Sequence, residues 1–317
     1  MRKRSLLKAL IASPLVSVRW AGAATAMRMW VPASPGGGWD TTAHALGDAL
    51  LAAQEAAIVN YQTRSGAAGT IGLAQFAADT VGDANALLVM GSVMLGGIVS
   101  NKPPVNLDAV TPLARLTSEY NVIVVPPQSP YRDMSALLRA FQNDAASIRW
   151  GGGSRGATEH IVLGLLAQAL GLQSTALNYV PFRGGGEAAA AVLSSAVMAA
   201  SSGISEFLPH IQAGRMRALA ITAPDRLAGL DVPTLRELGL DVVMGNWRGV
   251  YGASGLSPAQ RDGLIARIQK AVQSPLWQRS LTKNHWHDDW LAGDAFATFV
   301  AQDLKRITAV MAAAGLR

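Results

Sequence analysis

Four glycine-rich loops constrain this chain more than any other feature. They read PGGGWD (35–40), RSGAAGTIG (64–72), GGGSRGATEH (151–160) and FRGGGEAA (182–189). Each follows a short apolar run and precedes a stretch with helical periodicity, the rhythm of an α/β sheet. A helix N-terminus leaves backbone N–H groups unpaired and carries about half a positive charge. Glycine lets a partner approach that backbone closely and permits positive φ. Such a loop holds an anion without needing a lysine, and open α/β sheets gather these loops at the C-terminal ends of their strands. An ordinary turn needs one glycine, whereas these loops carry three or four. No lysine follows any of the four in the way G-x-x-x-x-G-K-[ST] requires, and G-x-G-x-x-G fits GGSRGA only with altered spacing, so nucleotide fingerprints are absent.

The 317 residues are enough for two domains. With no cysteine, disulfides, thiolate catalysis and Cys-ligated zinc are excluded. The formal charge of +6 points at first to nucleic acid, but Arg2, Lys3, Arg4, Lys8 and Arg19 all fall in residues 1–26, where there is no acid. The rest of the chain is near neutral and has no basic cluster with interleaved aromatics, so no nucleic-acid partner is expected. The segment MRKRSLLKALIASPLVSVRWAGAATA has the basic start, apolar middle and small-residue end of a secretory signal cleaved after Ala26. KRSLLK also resembles a twin-arginine signal with lysine in the first position.

Strands are expected at 27–34, 56–63, 86–92, 121–130, 216–222 and 246–254, with helices over 41–54 and through Phe76. The rhythm restarts at 147–171 and 176–193, giving two α/β modules in series, the second possibly inserted into the first. Residues 188–205 lack charge but contain serines and a glycine, which suits a buried helix running into a buried strand rather than a membrane span. Ser257 followed by Pro258 starts a helical tail.

Three patterns carry possible chemistry. GGSRG (152–156) matches the G-x-S-x-G nucleophile elbow, and Asp225 or Asp241 with His285 would complete a hydrolase order around Ser154, although no HGGG-type oxyanion loop precedes it. Under a binding role, Ser154 and Thr158 offer hydroxyls and the loop offers N–H groups to a carboxylate. HWHDDW (285–290) would set two imidazoles on one strand face; an exposed polar patch suits it better than a metal site. Asp40 is expected to cap the first helix and to contact ligand, and Arg64 and Arg183 could add charge to a pocket. His44, His160 and His210 are isolated. No metal and no cofactor are expected.

Taken in order, VPASPGGGWD, TRSGAAGTIG, GGSRGATEH, YVPFRGGGEAA, GRMRALAITAPDRLAGLDVPTLRELGLDV and NWRGVYGASGLSP resemble the solute-binding proteins of tripartite tricarboxylate transporters, the Bug/TctC type. The likeness covers nearly all of the chain after the signal. It implies an α/β, two-lobed periplasmic binding protein, type II-like, a Venus flytrap with two crossing strands as hinge, placed near 122–126 and 247–252. Lobe 1 would comprise 27–124 plus 247–317, and lobe 2 125–246. Such a protein is a non-catalytic, periplasmic monomer that closes around a small carboxylate and delivers it to membrane transporter subunits. The same lobes docked on a signalling receptor would make a ligand sensor. By matching positions the ligand would meet Pro35, Gly36, Gly37, Gly38, Trp39 and Asp40 in the first loop, and Ser65, Gly66 and Ala67 in the second. Ser92 joins them from the end of a strand. The third loop gives Ser154, Arg155, Gly156, Ala157 and Thr158, and the fourth Phe182, Gly184 and Gly185. Departures from the family pattern are Ser65, Ala68 and Thr70 in the second loop, Met198 in place of an aspartate, and the bulky Trp39.

Overall fold

The computed structural model describes residues 26–316. The expected signal segment lies outside the described residues apart from Ala26, which opens the first strand. The chain runs β1 (Ala26–Val31), α1 (Gly38–Ala52), β2 (Ile58–Thr63), α2 (Thr70–Asp79), β3 (Ala86–Gly91) and α3 (Ser92–Asn101) before the long β4 (Thr111–Val125). The rhythm then repeats as α4 (Met134–Asn143), β5 (Trp150–Gly152), α5 (Thr158–Ala169), β6 (Tyr179–Pro181), α6 (Gly185–Leu193), β7 (Ala199–Gly203), α7 (Ile204–Gln212) and β8 (Arg217–Ile221). It closes with β9 (Gly245–Gly252), α8 (Pro258–Val272), α9 (Pro275–Asn284), β10 (His287–Ala292) and α10 (Gly293–Ala313).

The strands pair in two sets of the same design. In the first, β2, β1 and β3 are parallel and β9 follows antiparallel, then β4. In the second, β6, β5 and β7 are parallel, then β4 runs antiparallel, then β8. The sheet is therefore mixed, not the purely parallel one the strand–helix rhythm suggests. Strand β4 belongs to both sets: up to Tyr120 it pairs with β9, and from Asn121 with β7. It is the first crossing strand, and its inner residues Val122–Val125 are fully buried, as a strand covered on both faces requires. The return crossing lies slightly earlier than 247–252. Met244 N still donates to Thr222 O at 3.1 Å, whereas Gly245 already pairs with Tyr120. From there β9 pairs along its length with β3 and the first part of β4.

Helix α8 starts as expected, with a capping box between Ser257 and Gln260 and Pro258 in the first turn. Helix α10 packs on α3 and β4, and the residues after it reach α5: Leu316 and Ala314 abut Gly164, and Ser174 Oγ donates to Gly315 O at 2.9 Å. Among the described residues no helix is long and apolar enough to cross a membrane.

Candidate functional site

A cavity of ≈ 710 Å³, partly open to solvent, lies where the C-terminal ends of β1, β2 and β3 face those of β5, β6 and β7. All four glycine loops reach it. Gly37, Gly38 and Trp39 come from the first, Gly66 and Ala67 from the second, Ser154 and Ala157 from the third, Gly184 and Gly185 from the fourth. Arg155 and Phe182 line a neighbouring cavity that also touches Ala67 and Ser154. Pro35, Gly36, Asp40, Ser65, Ser92, Gly156 and Thr158 line neither cavity.

The first loop folds differently from expectation. Helix α1 begins at Gly38, with Gly37 as its N-cap, so Asp40 is inside the first turn and is not the cap. Its carboxylate accepts from Gly36 N at 2.8 Å, which fastens the loop to the helix from within. Trp39 is buried between the second loop and Met94, where it forms a wall of the cavity. In the second loop Ala67 and Ala68 both hold positive φ, 47° and 54°, a conformation disfavoured for residues with a Cβ. The Ala67 carbonyl is braced by Thr70 Oγ1 at 2.9 Å and Asn101 Nδ2 at 3.0 Å. Arg64 points away from the cavity and donates to Gln75.

The third loop is held by aromatic groups beneath it. Tyr179 OH donates to Gly153 O at 2.7 Å, and His160 Nδ1 accepts from Gly156 N at 3.1 Å. Burial, aided by Arg155, lowers His160 to about 4, which keeps that nitrogen free to accept. Gly156 also touches the backbone of Gly96 on α3, bringing the two halves into contact. The Thr158 hydroxyl is turned to Asn121 at 3.1 Å, and Ser92 Oγ donates to Asn246 Oδ1 at 2.9 Å. Asn246 lines the cavity, so Ser92 acts through it. Arg183 lines the rim, exposed and paired with Glu187 at 2.6 Å.

Sequence reasoning missed the charged groups of the cavity: Glu159, Glu206 and Arg248, with Glu119 behind them. Arg248 and Glu119 form a buried ion pair. Burial alone lowers the Arg248 guanidinium, and the contacting carboxylate holds its charge in place. Arg248 Nε and Nη1 have no hydrogen-bond partner among the described residues, and the guanidinium lies 5.2 Å from the Trp286 ring. Glu206, on α7, accepts from Gly38 N at 2.9 Å and from the Ser202 hydroxyl, and the backbones of Gly185 and Gly203 also donate to it. A carboxylate of the chain itself thus occupies N-termini of α1, α6 and α7. Burial still raises its pKa. Glu159 is pushed up to about 7, chiefly by burial and further by Glu206, and its Oε2 has no hydrogen-bond partner among the described residues. One signal was available in the sequence: Arg248 in NWRGVYG is a lone charge within an apolar strand.

The other patterns are placed as follows. Ser154 Oγ donates to Phe182 O at 3.5 Å, Asp241 pairs with Arg236, and His285 ends α9, so these residues make no triad. His285 adopts φ 53° at that helix end and only His287 belongs to β10, which separates the two imidazoles expected on one strand face. No group of three His, Cys, Asp or Glu side chains suited to a metal occurs among the described residues. Met198 lines a separate cavity with Pro126 and Tyr131, away from the cleft.

Comparison with known proteins points one way. The family model described as the tripartite tricarboxylate transporter family receptor matches residues 45–316. Protein BugT of Bordetella pertussis is 26% identical over 296 residues, 92% of this chain and 90% of that protein. A Cupriavidus necator relative is also 26% identical, but the match spans only 58% of its length. The periplasmic binding protein BugD superposes with a TM-score of 0.81 at 22% identity, covering 92% of this chain and 98% of that one. MatC from Rhodopseudomonas palustris, solved with bound malate, gives 0.79 at 23% identity, covering 90% and 98%. These similarities establish the two-lobed binding-protein fold.

Proposed function

The chain belongs to the family of tripartite tricarboxylate transporter receptors, and on that footing we propose that it is a periplasmic solute-binding protein for a small carboxylate. The observation that carries this is Arg248, a buried guanidinium with two nitrogens that have no hydrogen-bond partner among the described residues, at a cavity lined by glycine loops from both halves. A carboxylate is the group whose geometry suits those donors. The malate bound by the structural relative MatC supports the same class of ligand. In this reading residues 27–124 and 247–317 form one lobe and 125–246 the other, and the solute bridges them. Trp39, Gly66, Ala67, Ser154, Ala157 and Gly184 contact it, with Arg155 and Phe182 at its edge. The protein is exported with cleavage near Ala26, acts as a monomer without catalysis, and passes its solute to membrane transporter subunits.

A thermal-shift screen against mono-, di- and tricarboxylates tests the proposal. At least one acid should raise the melting temperature of the wild type. The double variant Glu119→Gln/Arg248→Met, which removes the buried pair as a unit, should show no such shift. If the double variant responds as the wild type does, or no acid has an effect, the proposal fails.

A further inference from the structure

We propose that the solute is a zwitterion, a carboxylate that also carries a protonated amine, with the carboxylate facing Arg248 and the amine facing Glu159. This rests on the carboxylate-binding function proposed above and narrows it.

The cavity has two unmet poles. Glu159 is 5% exposed, lines the cavity, and has an oxygen with no hydrogen-bond partner among the described residues. That oxygen lies 3.0 Å from where a Cβ on Gly153 would sit, so the carboxylate tip reaches the glycine backbone of the third loop. Arg248, 1% exposed, lines the same cavity with two donors unmatched. A buried polar atom without a partner is costly, and a ligand that supplies the partner recovers that cost on binding.

The balance of charge decides what the ligand must bring. The groups facing Glu159 are Glu206 on α7, whose charge raises it, and Tyr179 on β6; its own N–H and the Thr158 hydroxyl also bond to it. Among the described residues no lysine or arginine pairs with Glu159 or Glu206; of the cavity's two guanidiniums, Arg248 is shared with Glu119 and Arg183, at the rim, with Glu187. Glu206 also takes N–H donors of the first and fourth loops that a ligand carboxylate would otherwise use. A plain dianion would therefore add to an excess of acidic over basic groups in a cavity only partly open to solvent. An ammonium beside Glu159 relieves that excess and donates to the unmatched oxygen, while the carboxylate takes the free nitrogens of Arg248.

Matched pairs that differ only in the amine isolate the effect: propionate and alanine, succinate and aspartate, glutarate and glutamate, 3-phenylpropionate and phenylalanine, each titrated calorimetrically into the wild type and Glu159→Gln. In the pair that binds best, the amino member should be tighter by about tenfold or more, the effect of one charge-assisted hydrogen bond. Its binding near neutral pH should release protons from Glu159, seen as a dependence of the heat on the buffer's ionisation enthalpy, whereas the plain acid should take protons up. Glu159→Gln, shown to be folded by circular dichroism, should close most of the gap. Plain acids that bind as tightly as their amino partners, or a gap that survives in Glu159→Gln, would overturn the zwitterion and leave the carboxylate function standing. If butylamine, which lacks a carboxylate, binds as tightly as the amino acids, or no member of any pair binds, the carboxylate function falls with it.

Discussion

Glu159 shows what a single buried carboxylate does to a protein built this way. Its pKa rises from 4.5 to about 7 because burial penalises the ionised form. Between those values the folded state holds a proton that the unfolded state has released, so stability falls as pH rises through the window and levels off above it. Each unit is worth ~1.4 kcal/mol, so the penalty at alkaline pH is about 3 kcal/mol. Glu159→Gln should therefore raise the midpoint of urea unfolding clearly near pH 8 and hardly at all near pH 4.5. Equal effects at both pH values would mean that Glu159 is not held protonated in the fold. Arg248 is the opposite case, a charge that stays because Glu119 touches it. Arg248 stands out in the sequence only as a lone charge in an apolar strand, and Glu159 not at all. Glu159 follows a loop that already reads as an anion site, and Glu119 lies far from Arg248 in sequence. Their meeting depends on β4 and β9 lying side by side, with Ser118 opposite Trp247.

At the scale of elements, the glycine loops were legible and their purpose only partly so. The strand–loop–helix order of β1, β2, β5 and β6 follows from the apolar runs and the glycines, and the structure has it. The reason for individual glycines differs from expectation. A Cβ on Gly38 would overlap the Arg248 guanidinium, and one on Gly185 would overlap Glu206, so both positions admit the chain's own ions. Gly184, by contrast, has open space and extended backbone. Gly38→Ala should cost roughly 1–3 kcal/mol of stability, the usual range for overpacking, while Gly184→Ala should unfold at the wild-type denaturant concentration. Chemical denaturation of the two variants checks this, and a neutral Gly38→Ala would show that the guanidinium is free to move. Other elements left weaker traces. The first half of β4, TPLARLTSEY, mixes charge and turn residues, and its ladder with β9 shifts register twice, which breaks the strict alternation by which a strand is read. The strand read in HWHDDW is present as β10, but it starts only at His287 and is a half-exposed partner of β4.

For the whole molecule, the two sets of strands repeat one design, three parallel strands followed by an antiparallel one, with β4 serving both. That shared strand and the return through Met244 tie the halves together, and the cleft opens between the loops they carry. The halves also touch across it, through Gly38 N to Glu206 and through Gly96 against Gly156. A solute held there meets loops from both sides, and binding is expected to favour the closed arrangement. The resemblance in the sequence led to this architecture because its motifs mark the loops; it could not show which charges the loops enclose, since Glu119 and Glu206 lie outside its motifs, and Arg248 and Glu159, though inside them, meet those partners only in the fold. If the cleft recognises an ionised carboxylate through Arg248, charge on that group is indispensable. Isothermal titration of the tightest-binding acid and of its methyl ester decides the matter: the ester should bind about tenfold or more weakly, the loss of at least one charge-assisted hydrogen bond, and an ester that binds as tightly as its acid would contradict carboxylate recognition in this cleft.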